Sequence, residues 1–94
     1  MEEKFLAALK KATEEAAALG VRIRPVEDMK GARRVLSGHR ESDGFYQLAD
    51  LGRLDLSIEA LAVKKQFTAL FTDEEANNAL MRLLEADHTF LNRR

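Results

Sequence analysis

Phe5, Ala8, Leu9, Ala12, Ala16 and Leu19 recur at steps of three and four, through a stretch without proline or glycine until Gly20. That spacing places all six on one face of an α-helix. No other feature constrains the fold as strongly, because a helix with one apolar stripe needs a partner to bury it. Lys10 with Glu14, and Lys11 with Glu15, stand four apart on the opposite face, where such pairs support a helix. Gly20 suits the left-handed turn that commonly ends one. A helix over residues 2–19 is therefore expected.

The same period returns in shorter segments. Met29, Ala32, Val35 and Leu36 share one face of a helix from about Glu27 to Ser37, while Lys30, Arg33, Arg34 and Ser37 share the other. Gly31 inside it costs about 1 kcal/mol relative to alanine, which points to close packing against another helix; Gly38 stops it. A third helix carries Phe45, Leu48, Ala49 and Leu51, with Ser42 or Asp43 as its cap and Gly52 at its end. A fourth follows Ser57, with Leu56 and Leu61 at the spacing of a hydrophobic staple and Ile58, Leu61 and Ala62 inward. Phe67, Leu70 and Phe71 would make the same helix apolar all round, so a break is expected near Lys64 to Gln66. The last helix has the strongest start, a Thr72/Glu75 capping box. Its stripe is Ala76, Ala79, Leu80, Leu83 and Leu84. Asp87 falls within that stripe, so either the helix ends near Ala86 or this carboxylate is partly buried, which requires an arginine or several hydrogen bonds.

Between the first two helices, "VRIRP" alternates apolar and basic residues. A strand there needs a partner, and only "RLDLS" offers one, so it reads as an extended connector. Of 94 residues, 43 are apolar and 14 of those are alanine, which leaves side chains for one core and not two. The expected fold is all-α: a single small domain of about five short helices, with one short extended segment near 21–24.

Composition narrows the function. Without cysteine there are no disulfides, thiol nucleophiles, zinc ribbons or iron–sulfur clusters, which suits a reducing cytosol. The longest apolar run is about six residues, too short for a membrane span. The acidic, charge-interrupted start is unlike a secretory signal. A cytoplasmic protein with no membrane partner is expected.

The octapeptide Ser37 to Gly44, "SGHRESDG", holds a histidine, an arginine, two serines and two carboxylates. A nucleophilic triad needs its members held rigidly from several elements, and there is no Gly-x-Ser-x-Gly elbow. The stretch is explained by Gly38 stopping one helix and Ser42 or Asp43 starting the next, with His39, Arg40 and Glu41 facing outward. Glu85-x-x-His88 has the helical spacing of di-iron carboxylate sites, but those need two such motifs and further glutamates. Neither phosphate-binding glycine motif occurs. No enzyme, cofactor or metal is expected.

Charge is unevenly spread although the net is −1. From Arg22 to Arg40 six cations face two acids; Glu41 to Val63 and Asp73 to Asp87 each set five acids against one arginine. A basic block followed by acidic ones suits docking by charge complementarity. The expectation is a non-catalytic protein-interaction module, a small adaptor or inhibitor, with another protein as partner. Its candidate contacts are Lys30, Arg33, Arg34, His39, Arg40, Tyr46 and Asp50. Tyr46 falls beside Asp50 and away from Phe45 and Leu48, where it either anchors a partner or covers the core edge. One alternative is a nucleic-acid-binding protein using Lys30, Arg33, Arg34 and Arg40 on phosphates. Against it, the third helix is acidic where a recognition helix should be basic. Another alternative is an acidic decoy that inhibits a nucleic-acid-handling enzyme. The long first helix could also serve a homo-oligomer.

Overall fold

The computed structural model describes residues 2–38, 42 and 44–87. Among them are five α-helices and no strand: α1 Glu2–Ala18, α2 Met29–Ser37, α3 Phe45–Asp50, α4 Ile58–Ala62 and α5 Asp73–Ala86. Single 3-10 turns at Leu54–Leu56 and Thr68–Leu70 complete the order. The all-α expectation holds. Residues 21–27 carry neither helix nor strand, as a connector should.

The short α4 is the centre of the fold. All five of its residues are buried, and it packs against α1, α5 and the Leu54–Leu56 turn. Ser57 caps it, accepting from the Ala60 amide at 3.1 Å while donating to the Leu54 carbonyl at 2.7 Å. The break in the apolar run is real. Lys64, Lys65 and Gln66 are exposed, and the chain then turns Phe67 and Phe71 back inward. Phe5 of α1 meets both rings edge-on, with centroids 5.2 and 5.1 Å apart. Helix α1 thus buries Phe5, Leu9, Ala12 and Ala16, but Leu19 lies beyond its end and is 44% exposed.

Three local expectations change. Gly31 is not a helix-packing contact: a Cβ there would meet Asp28 Oδ1 at 3.2 Å and Val26 Cγ1 at 3.4 Å. Asp28 caps α2 by accepting from the Gly31 amide at 2.7 Å, so the space is taken by the cap itself. The N-cap position of α3 belongs to Gly44, not to Ser42. Gly44 stands at its start with φ 75°, and a Cβ there would lie 2.6 Å from Val21 Cγ1. Ser42 bonds elsewhere, and Asp43 lies outside the described residues. Leu51 follows the last turn of α3 and is 51% exposed, so it does not join the core.

Helix α5 starts with the expected capping box: the Thr72 hydroxyl accepts from the Glu75 amide at 3.1 Å, and Glu75 Oε1 accepts from the Thr72 amide at 2.9 Å. It ends at Ala86, and Asp87 is half-buried just beyond, so both expectations for this residue hold. That residue is the C-terminal cap, partly exposed, with its amide on the Leu83 carbonyl at 2.9 Å. The inward face is wider than the predicted stripe. Glu75, Ala79, Arg82 and Leu83 are buried, while Ala76, Leu80 and Leu84 lie at its edge.

Candidate functional site

Two buried charged residues that the sequence reading passed over organise the polar interior. Glu59 is the one charge in the fully buried α4 and is itself 0% exposed. A carboxylate in that position is tolerable only if its oxygens are occupied. They are: Oε2 accepts from the Ser42 amide at 2.9 Å and from Arg82 Nη1 at 3.3 Å, and Oε1 accepts from the Ser42 hydroxyl at 2.6 Å.

Arg82 has further duties. Its guanidinium donates to the carbonyls of Val35 at 3.3 Å, Leu36 at 3.4 Å and Gly38 at 2.6 Å. Asn78, one turn earlier on α5, adds a bond to Leu36 O at 3.1 Å. The last carbonyls of a helix have no partner within it and carry its negative end. Here α5 caps α2 with a cation and an amide. Gly38 and Ser42 are thereby fixed from inside the fold by one ion pair. A second ion pair joins α2 directly to α5, with Arg33 Nε 3.2 Å from both oxygens of Glu75.

The predicted contact residues can now be placed. Lys30, Arg33 and Arg34 are exposed on α2, whose main helical neighbour is α5, and Arg33 is the one engaged by Glu75. Tyr46 and Asp50 are exposed one turn apart on α3, which packs chiefly on the Leu54–Leu56 turn. Tyr46 is 63% exposed, its ring edge-on to Phe45 at 5.7 Å. His39 and Arg40 lie outside the described residues, as does His88 of the Glu-x-x-His spacing. Among the described residues, no group of three or more His, Asp or Glu is placed to hold a metal ion. No described helix is long and apolar enough to cross a membrane.

The charged blocks of the sequence are partly turned on each other. Arg33–Glu75 joins basic block to acidic block, and Arg82–Glu59 joins the two acidic blocks through the lone arginine of one of them. Arg53, the lone arginine of the other, bridges Asp55 at 3.1 Å and Glu15 at 3.4 Å. Its pKa is raised, chiefly by the hydrogen bond and charge of Asp55. Openings lined by the described residues include two. One, of about 540 Å³, is lined by Leu6, Ala7, Lys10, Pro25, Val26 and their neighbours, between α1 and the connector. The other, of about 300 Å³, is polar and lies over Arg82, Asn78, Glu74 and Glu85.

No family profile, no curated protein and no solved structure matches this chain.

Proposed function

We propose that the chain is a non-catalytic protein-interaction module of the cytosol, an adaptor or inhibitor that docks through α3, with the basic face of α2 supplying charge. The observation that carries this reading is the exposure of Tyr46 at 63% and of Leu51, five residues on, at 51%. A large aromatic on this six-residue helix and a leucine at its C-terminal cap are poorly used as surface and well suited as anchors. Asp50, one turn from Tyr46, adds a charge that selects among partners. Lys30 and Arg34 extend outward from α2 and serve encounter more than affinity.

The nucleic-acid reading draws on the same α2 face but loses support there, because Arg33 is engaged by Glu75. The decoy reading also weakens, since Glu59 and Glu75 are buried and paired. Self-association through α1 is a second use of the same module, favoured by the groove of about 540 Å³ along that helix.

The test compares wild type with Tyr46→Ala/Leu51→Ser and with a control at exposed Met81, Met81→Ala. Copurifying proteins are quantified, mass in solution is measured, and binding to duplex and single-stranded nucleic acid is followed across a salt series. A partner lost from the α3 variant and kept by the control supports the proposal. Nucleic-acid binding that weakens log-linearly with salt, unaffected by the α3 variant, refutes it.

A further inference from the structure

Helix α3 is held differently from its neighbours. Six residues are too few for a helix to stand by itself. Its N-cap is a glycine, and glycines with left-handed backbone sit at both ends, Gly44 at φ 75° and Gly52 at φ 70°. Phe45 and Leu48 are its two buried side chains. Immediately upstream, Ser42 commits both its amide and its hydroxyl to Glu59. Glu59 belongs to the buried α4, and Arg82 holds its carboxylate from the other side.

We infer that Glu59 is the clasp of a releasable helix. With Ser42 held, Phe45 and Leu48 seat and α3 presents Tyr46 and Asp50. With Ser42 released, residues 44–52 open as a unit between the two glycines while α1, α2, α4 and α5 keep their packing. Cooperative units of low local stability arise where a short segment has few buried anchors; α3 buries Phe45 and Leu48, with Ala49 at the core's edge, and Ser42 ties the chain just upstream. Arg82 is a positioning residue here. By fixing Glu59, and by donating to Gly38, it holds the chain on both sides of residues 39–41. The regulatory meaning of such a clasp rests on α3 being the docking element; the clasp itself does not.

Tyr46 is the single tyrosine of a chain without tryptophan, so intrinsic fluorescence reports on α3 alone. Ser42→Ala removes the hydroxyl arm at a partly exposed position and leaves the Glu59–Arg82 pair intact. Ser37→Ala, which removes an exposed hydroxyl bonded to Arg34 O, is the control. Native-state hydrogen exchange then compares the amides of Leu48, Leu51 and Arg53 with those of Ala79 and Leu83. In Ser42→Ala the first group exchanges about tenfold faster, the equivalent of one net hydrogen bond, and the second changes far less. The Tyr46 transition on heating separates from the far-UV circular dichroism transition by more than in wild type. Equal acceleration of both groups, or no change in the first, overturns the clasp. Neither result requires a partner, so a failed clasp is distinguishable from a failed docking surface, which appears instead in the Tyr46→Ala/Leu51→Ser comparison.

Discussion

Replacing Arg82 by methionine should be among the most damaging single changes in this protein, and replacing Glu59 as well should recover part of the loss. In Arg82→Met the Glu59 carboxylate stays at 0% exposure with Ser42 as its remaining partner among the described residues. Breaking a buried pair from one side typically costs about 3–5 kcal/mol. In Glu59→Met the guanidinium keeps three carbonyls, so the cost should fall near 3 kcal/mol, the lower end of that range. The double variant buries no charge. It strands chiefly the Val35 carbonyl and the Ser42 amide, because Leu36 O keeps Asn78 and Gly38 is exposed. At roughly 1–3 kcal/mol per stranded group, with methionine packing offsetting part, the double variant should lose about 3–4 kcal/mol. The two single losses together come to about 7 kcal/mol, so the coupling is on the order of 3–4 kcal/mol.

A chain of this size has about 5–14 kcal/mol in total, so each single variant remains measurable if the protein is not at the bottom of that range. Urea unfolding followed by far-UV circular dichroism gives the four free energies by linear extrapolation, with an unchanged slope as the check on two-state behaviour. Additive losses would refute the reasoning, since they would mean that Glu59 and Arg82 are satisfied independently. So would an Arg82→Met loss below about 1 kcal/mol, which would mean that water reaches the pair and screens it.

Other substitutions test separate parts of the fold. Gly44→Ala meets both a left-handed backbone and Val21 at 2.6 Å, whereas Gly20→Ala and Gly52→Ala meet the backbone penalty with nothing within 4 Å; chemical denaturation should show about 1–2 kcal/mol for the latter two and clearly more for Gly44. Phe5→Ala deletes the ring that two other phenylalanines meet edge-on and should cost about 3–5 kcal/mol, seen as a large fall in the urea midpoint. Thr72→Ala removes the capping hydroxyl of α5 and should cost about 1 kcal/mol, with the helical signal otherwise kept. Tyr46→Ala/Leu51→Ser should leave the melting temperature nearly unchanged, because both side chains are more than half exposed.

How far the sequence could be read depended on what each residue's neighbours in the chain reveal. The helices were legible because their stops and starts are local chemistry: Gly20 and Gly52 at left-handed positions, Thr72 with Glu75, Ser57 before α4. The break after α4 was legible because a continuous helix would have been apolar on every side. Contacts between distant segments left no such trace. Ser42 and Asp43 are ordinary capping residues by position, and only the approach of α4 gives Ser42 a stronger acceptor in Glu59. Arg33 looked like one of three equivalent cations on a solvated face until α5 brought Glu75 to it.

The buried charges were nevertheless marked. Glu59 is the single charge between Leu56 and Val63, a run bounded by breaks and too short to hide one face from the core. Arg82 stands seven residues after Glu75 and next to Leu83, on the side of the helix that Ala79 already turns inward. A charge that interrupts an otherwise apolar short helix therefore calls for a partner elsewhere in the chain. Two ion pairs, Arg33–Glu75 and Arg82–Glu59, join the three blocks, so some of their uneven charge is used inside the fold. Part of what reads along the chain as surface polarity for a partner is the fold's own internal complementarity. Tyr46, Leu51, Lys30 and Arg34 stay exposed beside it, and under the docking proposal they are the positions whose substitution should weaken a partner first.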